Sequence, residues 1–263
     1  MILAILIQSI ILAVIYFSFI YLLSRIDGRV DIVDVSFGIG FIVLSIYFLV
    51  YNMLLNPGLT RKIIVTILVI IWGLRLSYHI YKRRENHPDD RRYQDIIAKW
   101  SNRNHIELRK YFFIFLSQGL VVLLIFSSVI LIDYKSTSSL GIFDFIGIFI
   151  WICGFLIESI ADSQLRKFIS NNDNKGKIMN EGLWRYTRHP NYFGEITQWF
   201  GIFIIALSVH YGYIFIISPI TIYLLLVYVS GIPLVEKNYG SKIGWEDYKK
   251  KTHKLFPLPQ IKP

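Results

Sequence analysis

The chain has 263 residues, of which 54% are hydrophobic and 17% charged, and its formal net charge is +10. With a mean hydropathy of +0.49 and recurring apolar runs of about 20 residues, it reads as an all-α polytopic membrane bundle, not a soluble globular protein. The lone Cys153 excludes an intrachain disulfide and a cysteine-based zinc site.

Seven membrane spans are predicted, at 2–23, 32–54, 63–81, 111–132, 142–165, 191–209 and 213–230. No small-residue cleavage site follows the first, which is read as a retained helix ending in the polar turn SRIDGR. The second opens on RVDIVDVSFG. Asp31 is read equally as an ordinary helix cap or as a functional acid, and Asp34, a turn deeper, is the candidate catalytic residue.

The third span carries WGLRLSYHIYKRR, with Arg75, His79 and Lys82 at helical spacing on one face. Arg75 falls roughly 10 Å inward of Lys82, so Tyr78, His79 and Arg75 form a polar track unless the arginine snorkels back to the headgroups. In the fifth span IESIADSQLRKF repeats the pattern, with Glu158, Asp162 and Arg166 every four residues. A carboxylate in lipid is costly, and the three are expected to wall a hydrophilic cavity.

The sixth span begins at GLWRYTRHPNYFGE. Pro190 suits the first helical position. Arg185, Arg188 and His189 then gather at the positive end of the helix dipole, where a phosphate is favoured, with simple anchoring to lipid phosphates as the alternative. Asn191, Glu195 and Gln198 share one face of that helix. Pro233 is predicted to end the seventh span, and VEKNYGSKIGWEDYKKKTHKLFPLP to form a short amphipathic helix on the inner surface, with simple interfacial anchoring by Trp245, Tyr248 and Phe256 as the equal alternative. Glu236 and Tyr239 are placed to fold back over the cofactor mouth.

Of the 28 Lys and Arg, 24 fall in loops 24–31, 82–110, 166–190 and the tail from 231; the opposite loops hold only Arg61, Lys62 and Lys135, and Arg75 lies within a span. This split predicts an outside N-terminus and a cytoplasmic C-terminus, in a bacterial inner membrane or, in a eukaryote, the endoplasmic reticulum. The basic balance thus encodes topology and attraction to membrane lipids, not nucleic acid. The six histidines, His87 among them, make no metal-binding cluster, and neither a GxGxxG dinucleotide loop nor a P-loop occurs. No metal site is expected. The polar tracks converge on one cytoplasmic pocket, which a polyanionic cofactor enters from the cytosol and an apolar substrate from the lipid.

WRYTRHPNYFGE, ESIADSQL and the closing GWEDYKKKTHKLFPLP resemble the steroid 5-alpha-reductase-like membrane proteins, above all a largely bacterial branch, over about 140–263. The likeness extends weakly to RVDIVDVSFG and WGLRLSYH. It implies seven helices around NADPH, with substrate entering from the membrane. It also places Asn191, Tyr192, Glu195 and Asp162 beside the cofactor, and Lys177 and Arg188 on its phosphates. Glu158 stands where steroid reductases tend to have Asn. Their substrate-polarising Glu–Tyr pair has Asp34 and Tyr78 as its nearest counterparts here. The RHP element alone is shared with isoprenylcysteine and phospholipid methyltransferases.

The sequence therefore predicts one integral membrane domain over 1–263, with its cofactor half at about 140–263. Its expected activity is NADPH-dependent reduction of an activated C=C bond in a steroid-like, isoprenoid or fatty substrate. A membrane methyltransferase using S-adenosylmethionine is the first alternative; a lipid-binding or transport protein without inverted repeats is the second. Methyltransferases of this scaffold usually carry two adjacent glutamates before the final segment, whereas Lys237 follows Glu236. The topology is tested by labelling from outside in a Cys153→Ala background. A cysteine at Ser138 is modified and one at Ser101 is not; the reverse refutes the cytosol-facing mouth.

Overall fold

The structure, a computed structural model, describes residues 2–53, 58–85, 90–100, 104–135, 139–240 and 242–260. His87, Ser101 and Ser138 lie outside the described residues. The fold is 81% helical, with no strands among the described residues, and is an all-α polytopic membrane bundle. Its helices are α1 (Ile2–Asp27), α2 (Ile32–Met53), α3 (Thr60–Glu85), α4 (Arg91–Ala98), α5 (Ile106–Lys110), α6 (Ser117–Lys135), α7 (Ile142–Ser170), α8 (Pro190–Ala206), α9 (Ile217–Leu224), α10 (Ile232–Tyr239) and α11 (Trp245–Lys251). A π-helical stretch, Tyr111–Leu116, joins α5 to α6, and a second, Leu225–Val229, extends α9.

Among the described residues six helices are long and apolar enough to cross a membrane, which makes this an integral membrane protein. The remaining predicted span is α8, with 17 residues. Its length of about 25 Å is short of a hydrocarbon core of roughly 30 Å. Pro233 does not end the last span. The helix breaks earlier, at Ser230 and Gly231, and Pro233 occupies the first turn of α10, where a missing N–H costs nothing.

The chain forms two compact units, one of residues 1–140 with 209–212, the other of 141–208 with 213–263. In the first, α2 and α3 touch backbone to backbone: a Cβ on Gly38 would sit 2.5 Å from the Gly73 carbonyl oxygen. Phe41 then meets Trp72 edge to face at 5.0 Å and Phe126 of α6 at 6.1 Å. The opposite stripe of α3, Ile63, Ile67, Ile71, Leu74 and Tyr78, is exposed at helical spacing, as a lipid-facing surface should be.

Ion pairs close one end of this unit. Asp31, a cap on one reading, instead accepts from Arg29 Nη2 at 2.5 Å and Arg84 Nε at 2.7 Å, and Arg84 also bonds Asp27. Asp34 accepts from Arg92 Nη2 at 2.5 Å and the Tyr93 hydroxyl at 2.6 Å, which ties α4 to α2. Asp90 caps α4 through the Arg92 N–H, at 2.9 Å. Burial works against the Asp90 carboxylate, but its bonds to Arg92 prevail and hold it below the usual range.

Near the other end lies a different kind of pair. Lys62 is 0% and Asp133 1% exposed. The amine and both carboxylate oxygens lack hydrogen-bond partners among the described residues, and each residue is the charge acting on the other. Removing one member of a buried pair strands the second, at about 3–5 kcal/mol, whereas replacing both with apolar groups is far cheaper. Asp133→Leu should therefore destabilise the protein strongly in detergent melts, and Lys62→Met with Asp133→Leu should recover most of the loss. Equal losses in the two variants would show that the charges do not compensate each other.

Candidate cofactor site

In the second unit, glycines recur seven residues apart on both α7 and α8 and face one another. A Cβ on Gly147 would lie 2.5 Å from the Gly201 carbonyl oxygen, and one on Gly154 2.6 Å from that of Gly194. Only glycine permits this approach, the close-packed crossing typical of membrane helices. The opposite face of α7, with Phe145, Phe149, Ile152, Leu156 and Ile160, is exposed. The crossing brings the polar residues of the two helices together. Gln198 Nε2 donates to Glu158 Oε2 at 2.6 Å, and Asn191 Nδ2 to Asp162 Oδ1 at 3.2 Å. The other amide oxygens, Asn191 Oδ1 and Gln198 Oε1, are buried without a hydrogen-bond partner among the described residues. Glu195 is buried beside them in sequence on α8. By rise per residue Glu158 lies about 24 Å and Asp162 about 30 Å along an α7 of about 43 Å, so this wall runs outward from just past the middle of the helix.

The loop before α8 is built around Arg188 and His189. Arg188 Nε donates to Glu236 Oε1 at 2.9 Å, and its Nη1 to the carbonyls of Lys249 and Thr252 at 3.0 and 2.8 Å. His189 Nε2 lies 3.0 Å from the same Glu236 oxygen. A carboxylate only accepts, so this nitrogen carries the proton. The ring stacks on Tyr192 at 5.5 Å. Thr187 pairs with His253 in a parallel bridge and donates from Oγ1 to the Leu255 carbonyl at 2.8 Å. The tail is thus strapped to the loop. Trp245 and Tyr248 of α11, predicted as interfacial anchors, are buried against Ile178, and the Tyr248 hydroxyl donates to the Trp184 carbonyl at 2.5 Å.

Between loop and strap lies a cavity of about 360 Å³, lined by Lys175, Lys177, Arg188, Lys242, Trp184 and Tyr248, with Tyr239 at its edge. Its lining contains four cations and no carboxylate. The structure therefore gathers the predicted Lys177, Arg188 and Tyr239 around one hollow, and His189 and Glu236 in one ion-paired cluster with Arg188. Arg166 and Arg185 are exposed and do not line the cavity. Arg188 differs from its expected part as a free phosphate ligand, because Glu236 and the tail carbonyls already take its donors.

In the first unit, Arg75 and His79 are half-buried on α3. Tyr78 is 60% exposed on the lipid-facing stripe, so the phenol that pairs with Asp34 is Tyr93, not Tyr78. Burial, and then the Asp34 charge, push Tyr93 well above its ordinary value. Sequence reasoning missed Arg92, Tyr93, Lys175 and Lys242. Only NNDNKGK, a polar turn ending in two lysines, offered a signal for Lys175.

Burial holds the His189 imidazole below its ordinary value of 6.5, although Glu236 opposes the shift. A group with a depressed folded pKa contributes stability that is fully present above the unfolded value and lost as pH falls through the folded one. Thermal stability should therefore drop below about pH 6.5, and His189→Gln should flatten that part of the profile. An unchanged slope in the variant would assign the acid sensitivity elsewhere.

Comparison with known proteins identifies the family. An uncharacterized protein of Schizosaccharomyces pombe is 25% identical over 205 residues, covering 69% of this chain and 56% of that protein. The human 3-oxo-5-alpha-steroid 4-dehydrogenase 1 is 39% identical over 64 residues, covering 24% of this chain and 25% of the enzyme. Steroid 5-alpha-reductase DET2 of Gossypium hirsutum is 38% identical over 55 residues, 21% of each chain. The chain thus spans about half the length of the yeast relative and a quarter or less of these two enzymes. No solved structure matches. A family model described as a protein of unknown function (DUF1295) matches residues 20–252, and the chain belongs to this family, within a steroid 5-alpha-reductase-like superfamily.

Proposed function

We propose that the protein is a membrane-embedded, NADPH-dependent reductase of an activated C=C bond in a lipid-soluble substrate. The observation that carries the reading is the cavity lined by three lysines, Lys175, Lys177 and Lys242, beside an Arg188 already paired with Glu236. Such a lining favours a ligand with several phosphates. S-adenosylmethionine carries a sulfonium and an amine against one carboxylate, and the same lining repels it. The names of the steroid-acting relatives support the reading.

The α7–α8 wall fits the rest of such a cofactor. Gln198 turns its amide NH₂ to Glu158, and Asn191 its own to Asp162, which leaves two buried carbonyl oxygens for donors. A carboxamide or ribose hydroxyl supplies those donors, and an orphaned buried acceptor costs about 1–3 kcal/mol until one arrives. Asp162 and Glu158 act by fixing which way the amides face. Glu236 orients His189 and neutralises Arg188, so the loop keeps its shape without repelling a cation or trapping an anion. Glu195 and Tyr192 belong to the same end of α8.

When bound, NADPH supplies the hydride for the β-carbon of an enone. The protein's part is to hold the developing enolate and return a proton. Of the residues expected to supply that proton, Tyr78 loses the role to its outward orientation, and Asp34 to the bonds with which it holds Arg92 and Tyr93. The substrate is steroid-like, isoprenoid or fatty, and the cavity side of the protein faces the cytoplasm.

Thermal melts of the detergent-purified protein test the cofactor. NADPH at a hundredfold excess over its dissociation constant should stabilise by about 2.7 kcal/mol, and S-adenosylmethionine should not. Stabilisation by S-adenosylmethionine alone would replace the reductase with the methyltransferase.

A further inference from the structure

We propose that a groove between α1 and α5 in the first unit binds one anionic phospholipid, with its phosphodiester at Arg25 and Lys110 and an acyl chain along α1. The site lies within the first unit and does not depend on what the second unit binds. A shallow hollow of about 400 Å³ is lined there by Ser18, Tyr21, Leu22, Glu107, Leu108 and Tyr111. Ser18, Tyr21, Leu22 and Arg25 are spaced at i, i+3, i+4 and i+7, so a single face of α1 forms one wall. The other wall is α5 and the start of the π-helical stretch, a rare geometry frequently found at functional sites.

Polarity falls with depth along the groove in the order that a phospholipid presents. Arg25 stands in the last turn of α1, and Ser18 is about 10 Å deeper by rise per residue. At the outer end Glu107 accepts from Arg25 Nη1 at 2.9 Å, Lys110 Nζ at 2.8 Å and the Tyr21 hydroxyl at 3.2 Å. At the deeper end the Ser18 and Tyr111 hydroxyls lie 2.8 Å apart. One of their two protons makes that bond, which leaves the other for an acceptor such as an ester carbonyl. Beyond Ser18 the same side of α1 turns apolar, and Ile11, Val14 and Ile15 are exposed. Charge, hydroxyl and hydrocarbon thus follow one another as phosphate, glycerol ester and acyl chain do.

Two cations against one carboxylate leave the outer cluster with a positive charge. Arg25 spends Nη1 on Tyr21 and Glu107, and its Nε and Nη2 make no hydrogen bond among the described residues. Lys110 likewise spends one proton on Glu107. An open guanidinium edge is the fork that matches two oxygens of a phosphate. Glu107 already accepts three bonds, so the ammonium of a zwitterionic headgroup would meet Arg25 and Lys110 without a free acceptor. The cluster therefore favours a headgroup with net negative charge. Tyr21 is held by the rings of Tyr111 and Phe115, at 5.2 and 5.3 Å between centroids, so the groove is preformed and a ligand has little to order on arrival. By the distribution of Lys and Arg, this end of α1 is on the cation-rich side of the membrane, where the leaflet carries anionic lipid.

The test uses the full-length protein, stripped of lipid in detergent, with dioleoylphosphatidylglycerol, dioleoylphosphatidylcholine and glycerol phosphate as probes. Native mass spectrometry gives the tightest dissociation constant of each for wild type and for R25Q/E107Q/K110Q, a variant that strands no carboxylate. Wild type should bind one phosphatidylglycerol roughly tenfold or more tighter than phosphatidylcholine, the size of a charge-assisted hydrogen bond. The variant should lose that difference. Equal affinity for the two lipids in wild type, or a preference intact in the variant, overturns the assignment. Glycerol phosphate that competes as well as the lipid makes this a site for a soluble anion and overturns it too. Should the triple variant melt far below wild type, Leu22→Trp decides, since it fills the hollow from an exposed position and keeps every charge. Loss of the tightly held lipid in Leu22→Trp supports the groove; its retention reduces the effect to unspecific attraction at the surface and overturns the proposal.

Discussion

The close crossing of α7 and α8 is the contact on which the second unit depends. Gly147 against Gly201 and Gly154 against Gly194 bring two backbones within the space a methyl group would need. With that separation set, only one register is open, and it decides which polar residues meet. Glu158 reaches Gln198 and Asp162 reaches Asn191 because the glycines remove the side chains that would hold the helices apart. A polar contact of this kind is affordable in a membrane only if both partners are satisfied. Two amide oxygens, Asn191 Oδ1 and Gln198 Oε1, are left over at this crossing without a hydrogen-bond partner among the described residues.

The second constraint is the strap. Buried Arg188 and His189 and half-buried Glu236 form a cluster in which one carboxylate serves two cationic or donor groups, and the tail closes on it through main-chain carbonyls. Recasting Arg188 as the clasp of the fold, not as a free phosphate ligand, changes the chemistry expected of the RHP element. Its arginine builds the rim of the cavity, and lysines from two separate segments, 175–177 and 242, supply its charge. An RHP element can accordingly recur in enzymes with different cofactors, since what it secures is the loop and tail geometry.

Much of this was legible in the residues. Apolar run length located the spans, Pro190 located the start of α8, and four-residue spacing put Glu158 and Asp162 on one face of α7. Hydropathy could not separate a packed face from a lipid-facing one, because both are apolar in a bilayer. Tyr78 was misread for that reason: it shares a neighbourhood in sequence with His79 but a face with Ile67, Ile71 and Leu74. Asp34 stands out in the sequence as an acid a turn inside a span, yet its partners Arg92 and Tyr93 are 58 and 59 residues away on a short helix outside the spans. Nothing local announces such a pairing. The lysines at 175 and 242 meet at one cavity only because the tail folds back, which periodicity cannot report.

The same reasoning explains why the charge count and the structure assign different weights to the same residues. Arg61 and Lys62 were counted as loop charges on the sparse side, but the structure places both within the first turn of α3 and buries them. Arg61 reaches the Ser139 carbonyl at 2.8 Å, while Lys62 faces Asp133 electrostatically. Neither charge is then available to hold a loop on one side of a membrane by attraction to headgroups. Discounting them leaves Lys135 as the only cation of the sparse side, so burial sharpens the asymmetry from which the topology is inferred. The positive-inside argument counts charges that water and lipid headgroups can see, and a structure is what identifies those.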